Sequence, residues 1–266
     1  RDPKLRTFQN KLASIVCLDP AAGSGNFLTE GYLQLRKLEN RVISDLLGGQ
    51  IIMGDAGNPI KVQIGQFYGI EINDFAVTVA RTALWIAENQ MMKETEDIVH
   101  MSLDFLPLKA NANIVEGNAL RIDWNEVVSK DRLTYIMGNP PFVGARMMEQ
   151  GGGQKRDIEE LFGKIKDVQD LDYVSGWYKK AAEYMMGTLI VAGFVSTNSI
   201  SQGSQVPILW GVLKNYNVEI QFAHQTFRWD SESNSTAHVF VIIMGFTTCH
   251  SEKLKKLYTY KNVKST

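Results

Sequence analysis

The stretch that most limits what this chain can fold into runs from residue 15 to residue 38. Ile15-Val-Cys-Leu18 is a short apolar run of the kind found in a parallel sheet covered on both faces. It opens into a small-residue loop, Asp19-Pro-Ala-Ala-Gly-Ser-Gly-Asn-Phe27, and then into an amphipathic helix with apolar positions at Phe27, Leu28, Tyr32, Leu35 and Leu38. Strand, glycine loop and helix form the first βα unit of a doubly wound fold. Gly23 and Gly25 let backbone approach a ligand closely, and the helix start offers unpaired N–H groups. A dinucleotide fingerprint wants a third glycine where Leu28 stands, so that reading fails. Asp19, ending the strand, is a poor neighbour for a pyrophosphate and a good one for an ammonium group. A plain tight turn is the alternative.

The pattern of a strand ending in a polar side chain repeats. Phe67-Tyr-Gly-Ile-Glu71-Ile72 reads as a second strand, and Asn73 or Asp74 caps a helix whose small face is Ala76, Ala80, Ala83 and Ala87. A carboxylate there, Glu71, suits a ribose diol, and Ile72 suits one face of an adenine; a solvated Glu and a buried Ile are the bland reading. Ile114 to Leu120 is a third strand, with Asn118 able to meet an adenine edge or simply to make a Gly-Asn turn. The fourth, residues 133–138, ends in Gly138-Asn139-Pro140-Pro141-Phe142. Two prolines stop a ladder and hold the residues before them extended. The Asn139 amide and the Pro140 carbonyl then become fixed acceptors beside an aromatic ring, an arrangement suited to a planar group bearing NH2. A Pro-Pro turn with Phe142 in the core is the other possibility. In an open parallel sheet these ends share the edge where ligands sit.

Residues 143–170 read as a polar loop with a Gly151-Gly152-Gly153 run, and residues 48–59 as a glycine-rich surface insertion. A helix around Trp177 to Met185, a fifth strand at Thr188 to Val195 and a helix at Val206 to Tyr216 follow. Two strands, Val218–Phe222 and Ala237–Phe246, close the pattern, and the short connection between them predicts an antiparallel pair. That connection carries Phe227-Arg228-Trp229, read as a loop whose aromatics stack on a base. The expected fold is therefore α/β, a doubly wound, mostly parallel seven-stranded sheet with an antiparallel last strand.

Composition narrows the function classes. The 28 basic and 29 acidic residues of the 266-residue chain give no global field for nucleic acid, so DNA contact needs a local patch or a further segment. Cys17 and Cys249 show no metal spacing and no disulfide framework, which predicts a reducing compartment and no metal. No run is long and apolar enough for a membrane span. Arg1 and Thr266 read as cuts within a longer polypeptide.

With these pieces in order, the chain resembles the class I S-adenosylmethionine-dependent methyltransferases that modify DNA amino groups, through Asp19 to Phe27 and Asn139-Pro-Pro-Phe142. It is closer still to the methyltransferase region of the Type IIL (MmeI-like) restriction–modification fusions. The matching stretches are Gln66 to Glu71, Gly117 to Trp124, Met137 to Arg146 and Thr226-Phe-Arg-Trp229. The resemblance implies a Rossmann-like catalytic domain over 15–250, a truncated lead-in at 1–14 and an extension at 251–266 toward a target-recognition domain. It implies S-adenosylmethionine as cofactor, held by Asp19, Ala21, Gly23, Gly25, Asn26, Phe27, Glu71, Ile72, Asn118 and Ala119. It implies catalysis by Asn139, Pro140, Pro141 and Phe142 on an adenine N6 flipped from duplex DNA, with Phe142, Phe227 and Trp229 stacking on the base. A bacterial or archaeal cytoplasmic enzyme, with recognition and nuclease domains elsewhere, is the expected setting. The same turn leaves open cytosine N4, RNA or a protein glutamine amide as acceptor, and a silent cofactor-binding scaffold as a different class. Ala22 stands where the family often has cysteine, and the segment before residue 15 looks too short for the family's additional cofactor motif.

Overall fold

The computed structural model describes residues 2–48, 58–103, 112–148, 153–229 and 239–260. Most of the 48–59 insertion, Gly151-Gly152, the 230–238 connection and the end of the 251–266 extension lie outside them. The chain divides into two compact units, Arg1–Gly117 and Asn118–Thr266.

The first unit contains α1 (Asp2–Ser14), β1 (Cys17–Asp19), α2 (Asn26–Leu47), β2 (Phe67–Glu71), α3 (Asp74–Val99) and β3 (Asn113–Glu116). Its strands run parallel in the order β3-β2-β1, with Asp19 level with Gly69 and Glu71 level with Glu116. Strand burial explains the apolar runs: Leu18, Phe67 and Ile70 are fully enclosed, with Leu28 and Tyr32 of α2 and Ala80 and Leu84 of α3. Asn73 caps α3 by accepting from the Ala76 N–H at 3.0 Å, as its sequence position predicts.

The 1–14 lead-in is a docked helix. Gln9 of α1 donates to Glu39 of α2 at 2.9 Å, and Glu39 also accepts the Lys61 N–H at 2.7 Å. Arg36 is paired with Glu39 and donates to Thr95 of α3 at 2.7 Å, although Arg36 and Glu39 are 1% and 0% exposed. Charges this deeply buried are tolerable only because they are paired, here with Arg36 Nε alone left without a partner among the described residues; removing one partner strands the others.

The second unit holds α4 (Trp124–Val127), β4 (Tyr135–Gly138), α5 (Gly153–Phe162), α6 (Ser175–Met185), β5 (Val191–Thr197), α7 (Gln205–Leu213), β6 (Glu219–Trp229), β7 (Val239–Thr247) and β8 (Lys256–Tyr258). The strand order is β4-β5-β7-β6-β8; β4/β5 and β6/β8 are parallel, while β7 is antiparallel to both neighbours. Tyr178 of α6 anchors the core between Phe194 of β5 and Phe246 of β7, stacked on the latter with ring centroids 5.3 Å apart.

Four expectations change. Among the described residues there are eight strands, because Lys256-Leu-Tyr258, read as an extension, pairs with β6. Phe227-Arg228-Trp229 lies on β6 and not in a loop, since two register shifts, at Ile220/Phe222 and His224/Phe227, let an irregular polar stretch keep pairing with the apolar β7. The 143–170 segment contains α5, whose Ile158 and Phe162 are buried one helical turn apart. Finally, β5 begins at Val191, because Gly187 (φ 76) and the Thr188 hydroxyl bond to Met185 complete a turn first.

Candidate functional site

Within the first unit the parallel strands deliver Asp19 and Glu71 to one edge, and the glycine loop joins them. Gly23 donates its N–H to Glu71 Oε2 at 2.8 Å, and Asn73 donates to Oε1 at 3.0 Å. The half-buried Glu71 carboxylate therefore fixes both the loop after β1 and the entry to α3. Asp19 is 1% exposed and accepts the Ala21 N–H at 2.9 Å. Burial lifts its carboxyl to about 7; the Ala21 N–H opposes this and the nearby Glu71 charge adds to it.

The two glycines serve different ends. A Cβ on Gly25 (φ +83) would lie 2.8 Å from Ala80 Cβ, so this residue lets α2 seat against α3. A Cβ on Gly23 (φ +52) would meet nothing within 4 Å, so here the backbone borders open space. Asn26 is exposed at the start of α2, and Phe27 is half-buried. Ile72, 66% exposed, does not pack into the core as the bland reading had it, and Phe75 beside it is 73% exposed. The sequence reading missed Phe75; its signal was an aromatic lying off the alanine face of α3.

The second unit carries the other candidates. Asn118 Oδ1 accepts the Leu120 N–H at 2.9 Å, and its Nδ2 donates to Asp157 Oδ2 at 2.9 Å. Asp157, 4% exposed on α5, also accepts from Arg121 Nε at 2.6 Å and the Tyr173 hydroxyl at 2.8 Å. Burial first and Asp157 second push the Tyr173 phenol up, which keeps it a donor. None of these three partners was expected, because their contact depends on α5 docking and not on local spacing. Ala119 is buried, its carbonyl taken by Trp124 Nε1 at 2.8 Å.

Asn139 follows β4 directly. Among the described residues its Oδ1 is buried and has no hydrogen-bond partner. Pro140 is buried, Pro141 exposed and Phe142 half-buried. The following backbone is pinned, with the Tyr173 N–H donating to the Val143 carbonyl and the Ala145 N–H to Asp172 Oδ1, both at 2.9 Å. A buried amide oxygen left without a donor costs on the order of 1–3 kcal/mol, a strain that persists where a ligand is to supply the hydrogen.

The same edge takes the ends of β5 and β6. Thr226 donates to Asn198 Oδ1 at 2.9 Å, and Phe227, Val241 and Thr197 stand in one register row across β6, β7 and β5. Phe227 is 5% exposed, a wall of the sheet and not a free surface ring. Trp229 ends β6. No group of His, Cys, Asp and Glu able to hold a metal occurs among the described residues, and no helix there is long and apolar enough to cross a membrane.

Comparison with known proteins identifies the family. The family profile described as "MmeI, DNA-methyltransferase domain" matches residues 1–259. "DNA methyltransferase A" of Bacillus subtilis (strain 168) is 39% identical over 258 residues, covering 96% of this chain and 29% of the relative. The Type IIL restriction–modification enzyme MmeI, solved in complex with DNA, superposes with a TM-score of 0.93 at 40% identity, over 100% of this chain and 35% of that one. The Type ISP enzyme LlaBIII, bound to DNA, shares the fold alone, with a TM-score of 0.52 at 12% identity over 92% of this chain and 18% of its own. The chain thus spans about a third of the first two relatives, 29% and 35% of their lengths.

Proposed function

Because the chain belongs to the MmeI DNA-methyltransferase domain family, we propose that it transfers the methyl group of S-adenosylmethionine to the N6 amine of an adenine flipped out of duplex DNA. It does so as the catalytic core of a larger restriction–modification enzyme, partnered by recognition and nuclease segments. The observation that carries the reading is the buried, partnerless Oδ1 of Asn139, held at a strand end by two prolines.

The residues of the first unit fit the cofactor. Open space at Gly23 accommodates close passage, Asp19, once ionised, offers a partner for the methionine ammonium, Glu71 faces the ribose diol, and exposed Ile72 covers an adenine face. Ala21, Gly25, Asn26 and Phe27 shape the loop and the helix start, and Asn118 and Ala119 of the second unit meet the adenine edge. When bound, S-adenosylmethionine supplies an electrophilic methyl on a sulfonium.

The chain's own chemistry lies in the acceptors. An adenine amine shares its lone pair with the ring and is a poor nucleophile. Asn139 Oδ1 and the Pro140 carbonyl accept its two hydrogens, draw the nitrogen out of the ring plane, and match the positive charge that grows on it. Phe142 stacks on one face of the base, and Phe227, with Trp229 as second choice, bounds the other. Pro141 keeps the turn rigid. No strong base is required, since the surplus proton passes to solvent only after nitrogen has become cationic. Extrusion of the base costs a few kcal/mol, offset by stacking in the site.

The test is tritium transfer from labelled S-adenosylmethionine to DNA, RNA and glutamine peptides by the intact protein and by Asn139→Ala. Label on adenine N6 in DNA, lost in the variant while cofactor binding persists, is the expected result. Label on another acceptor, or a variant that keeps its rate, would reject the assignment.

A further inference from the structure

The strand read as an extension has its own bearing on the site. β8 runs parallel to β6, with Phe222 level with Lys256, Ala223 with Leu257 and His224 with Tyr258. Residues level with one another share a face of the sheet, so His224 and Tyr258 meet; their rings stack with centroids 4.5 Å apart at 15°. Two residues on, the Tyr260 hydroxyl sits 2.6 Å from His224 Nδ1. The Tyr260 ring then leans on Phe227, with centroids 5.5 Å apart at 56°. Burial lowers the His224 pKa, in keeping with a neutral ring that can accept from or donate to the phenol.

Just past the β8 pairing, which ends at Tyr258, the Tyr260 ring is thus held at two points, its hydroxyl on His224 and its contact with Phe227. A ring tethered in this way is a wall and not a gate, since swinging it aside breaks the hydrogen bond and the ring contact together. Phe227 has only 5% of its surface free, and its orientation is therefore set by what it rests against. β6 is loosened just before it by the His224/Phe227 register shift, where the ladder alone fixes the ring less firmly.

We infer that Tyr260, fixed by His224 just past β8, is a positioning residue that braces Phe227 for contact with the target base, so that the working catalytic unit runs through Tyr260. This rests on the reading of Phe227 as a base contact. Intact protein is compared with Tyr260→Ala, Tyr260→Phe and Phe227→Ala, scoring methyl transfer to unmethylated plasmid DNA, calorimetric binding of S-adenosylmethionine, and thermal melting. Tyr260→Ala should lower kcat/KM for DNA about tenfold, the lower part of what a lost base–aromatic stack costs, with cofactor affinity and melting held. Tyr260→Phe, which keeps the ring but loses the bond to His224, should recover only part of that loss. The inference fails if Tyr260→Ala keeps full activity while Phe227→Ala loses it. It also fails if Tyr260→Ala weakens cofactor binding and melting in step with rate, which marks a merely structural ring. If Phe227→Ala itself is fully active, the base-contact reading falls, and the brace with it.

Discussion

Asn118 gives its amide hydrogen to Asp157 across 2.9 Å, joining the turn after β3 to a helix 39 residues further on. Because Asp157 can only accept, the Asn118 amide has one orientation: nitrogen toward the acid, oxygen toward the Leu120 N–H. Asp157→Ala would strip partners from Asn118, Arg121 and Tyr173 at once. The expected loss is about 2 kcal/mol in urea unfolding, discounted because Arg121 is half exposed. The Asn118 amide then becomes free to turn, and weaker binding of S-adenosylmethionine by calorimetry should accompany the loss. Unchanged stability would mean that α5 is held by its apolar contacts alone.

Glu71 accepts the Gly23 N–H, and in the proposed function the cofactor ribose is its second partner. Glu71→Ala should therefore raise the Kd for S-adenosylmethionine by more than tenfold, or about 1.4 kcal/mol. Glu71→Gln, which retains an acceptor for Gly23, should bind better than the alanine variant. Equal losses in the two would show that the charge, and not the loop contact, governs affinity.

Asp19 gives a pH signature. Its folded-state pKa of about 7 is above the ordinary aspartate value. The stability that this proton contributes is complete below about pH 4, the unfolded-state value, and is lost as pH rises through about 7. Asp19→Asn should flatten unfolding free energy across that window in urea titrations at stepped pH. Cofactor affinity runs the other way: the ammonium wants the carboxylate, so binding strengthens as pH rises through about 7, with proton release below it. An affinity that is flat across the same range would assign the ammonium to a different group.

The two loop glycines should separate stability from binding. Gly25→Ala puts a methyl 2.8 Å from Ala80 Cβ at φ +83, and ought to cost several kcal/mol by strain and overpacking together. Gly23→Ala meets no neighbour within 4 Å, so its cost at φ +52 is the backbone term alone, about 1 kcal/mol, and its main effect should be weaker cofactor binding. Thermal melting alongside calorimetry reads both; a Gly25 variant as stable as wild type would place its methyl elsewhere than against α3.

What the sequence determined by itself was everything set over a few consecutive residues. The apolar runs placed β1, β2 and β4, the Asn73 cap began α3, the Asp19 and Glu71 strand ends followed, and the double proline ended the chain's β4 run just before it, at Gly138-Asn139. These are short-range consequences of periodicity and of proline's missing donor. Tertiary structure alone decided the rest. β6 extends through Phe227 because β7 offers it a partner past two bulges, while its own polar residues read as a loop. α5 is fixed by Asp157 satisfying donors from Asn118, Arg121 and Tyr173, far from it in sequence. β8 joins the sheet through three rows of pairing that no local pattern announces. In each case the free energy that fixes the element comes from groups distant along the chain, and a window of neighbouring residues does not contain them.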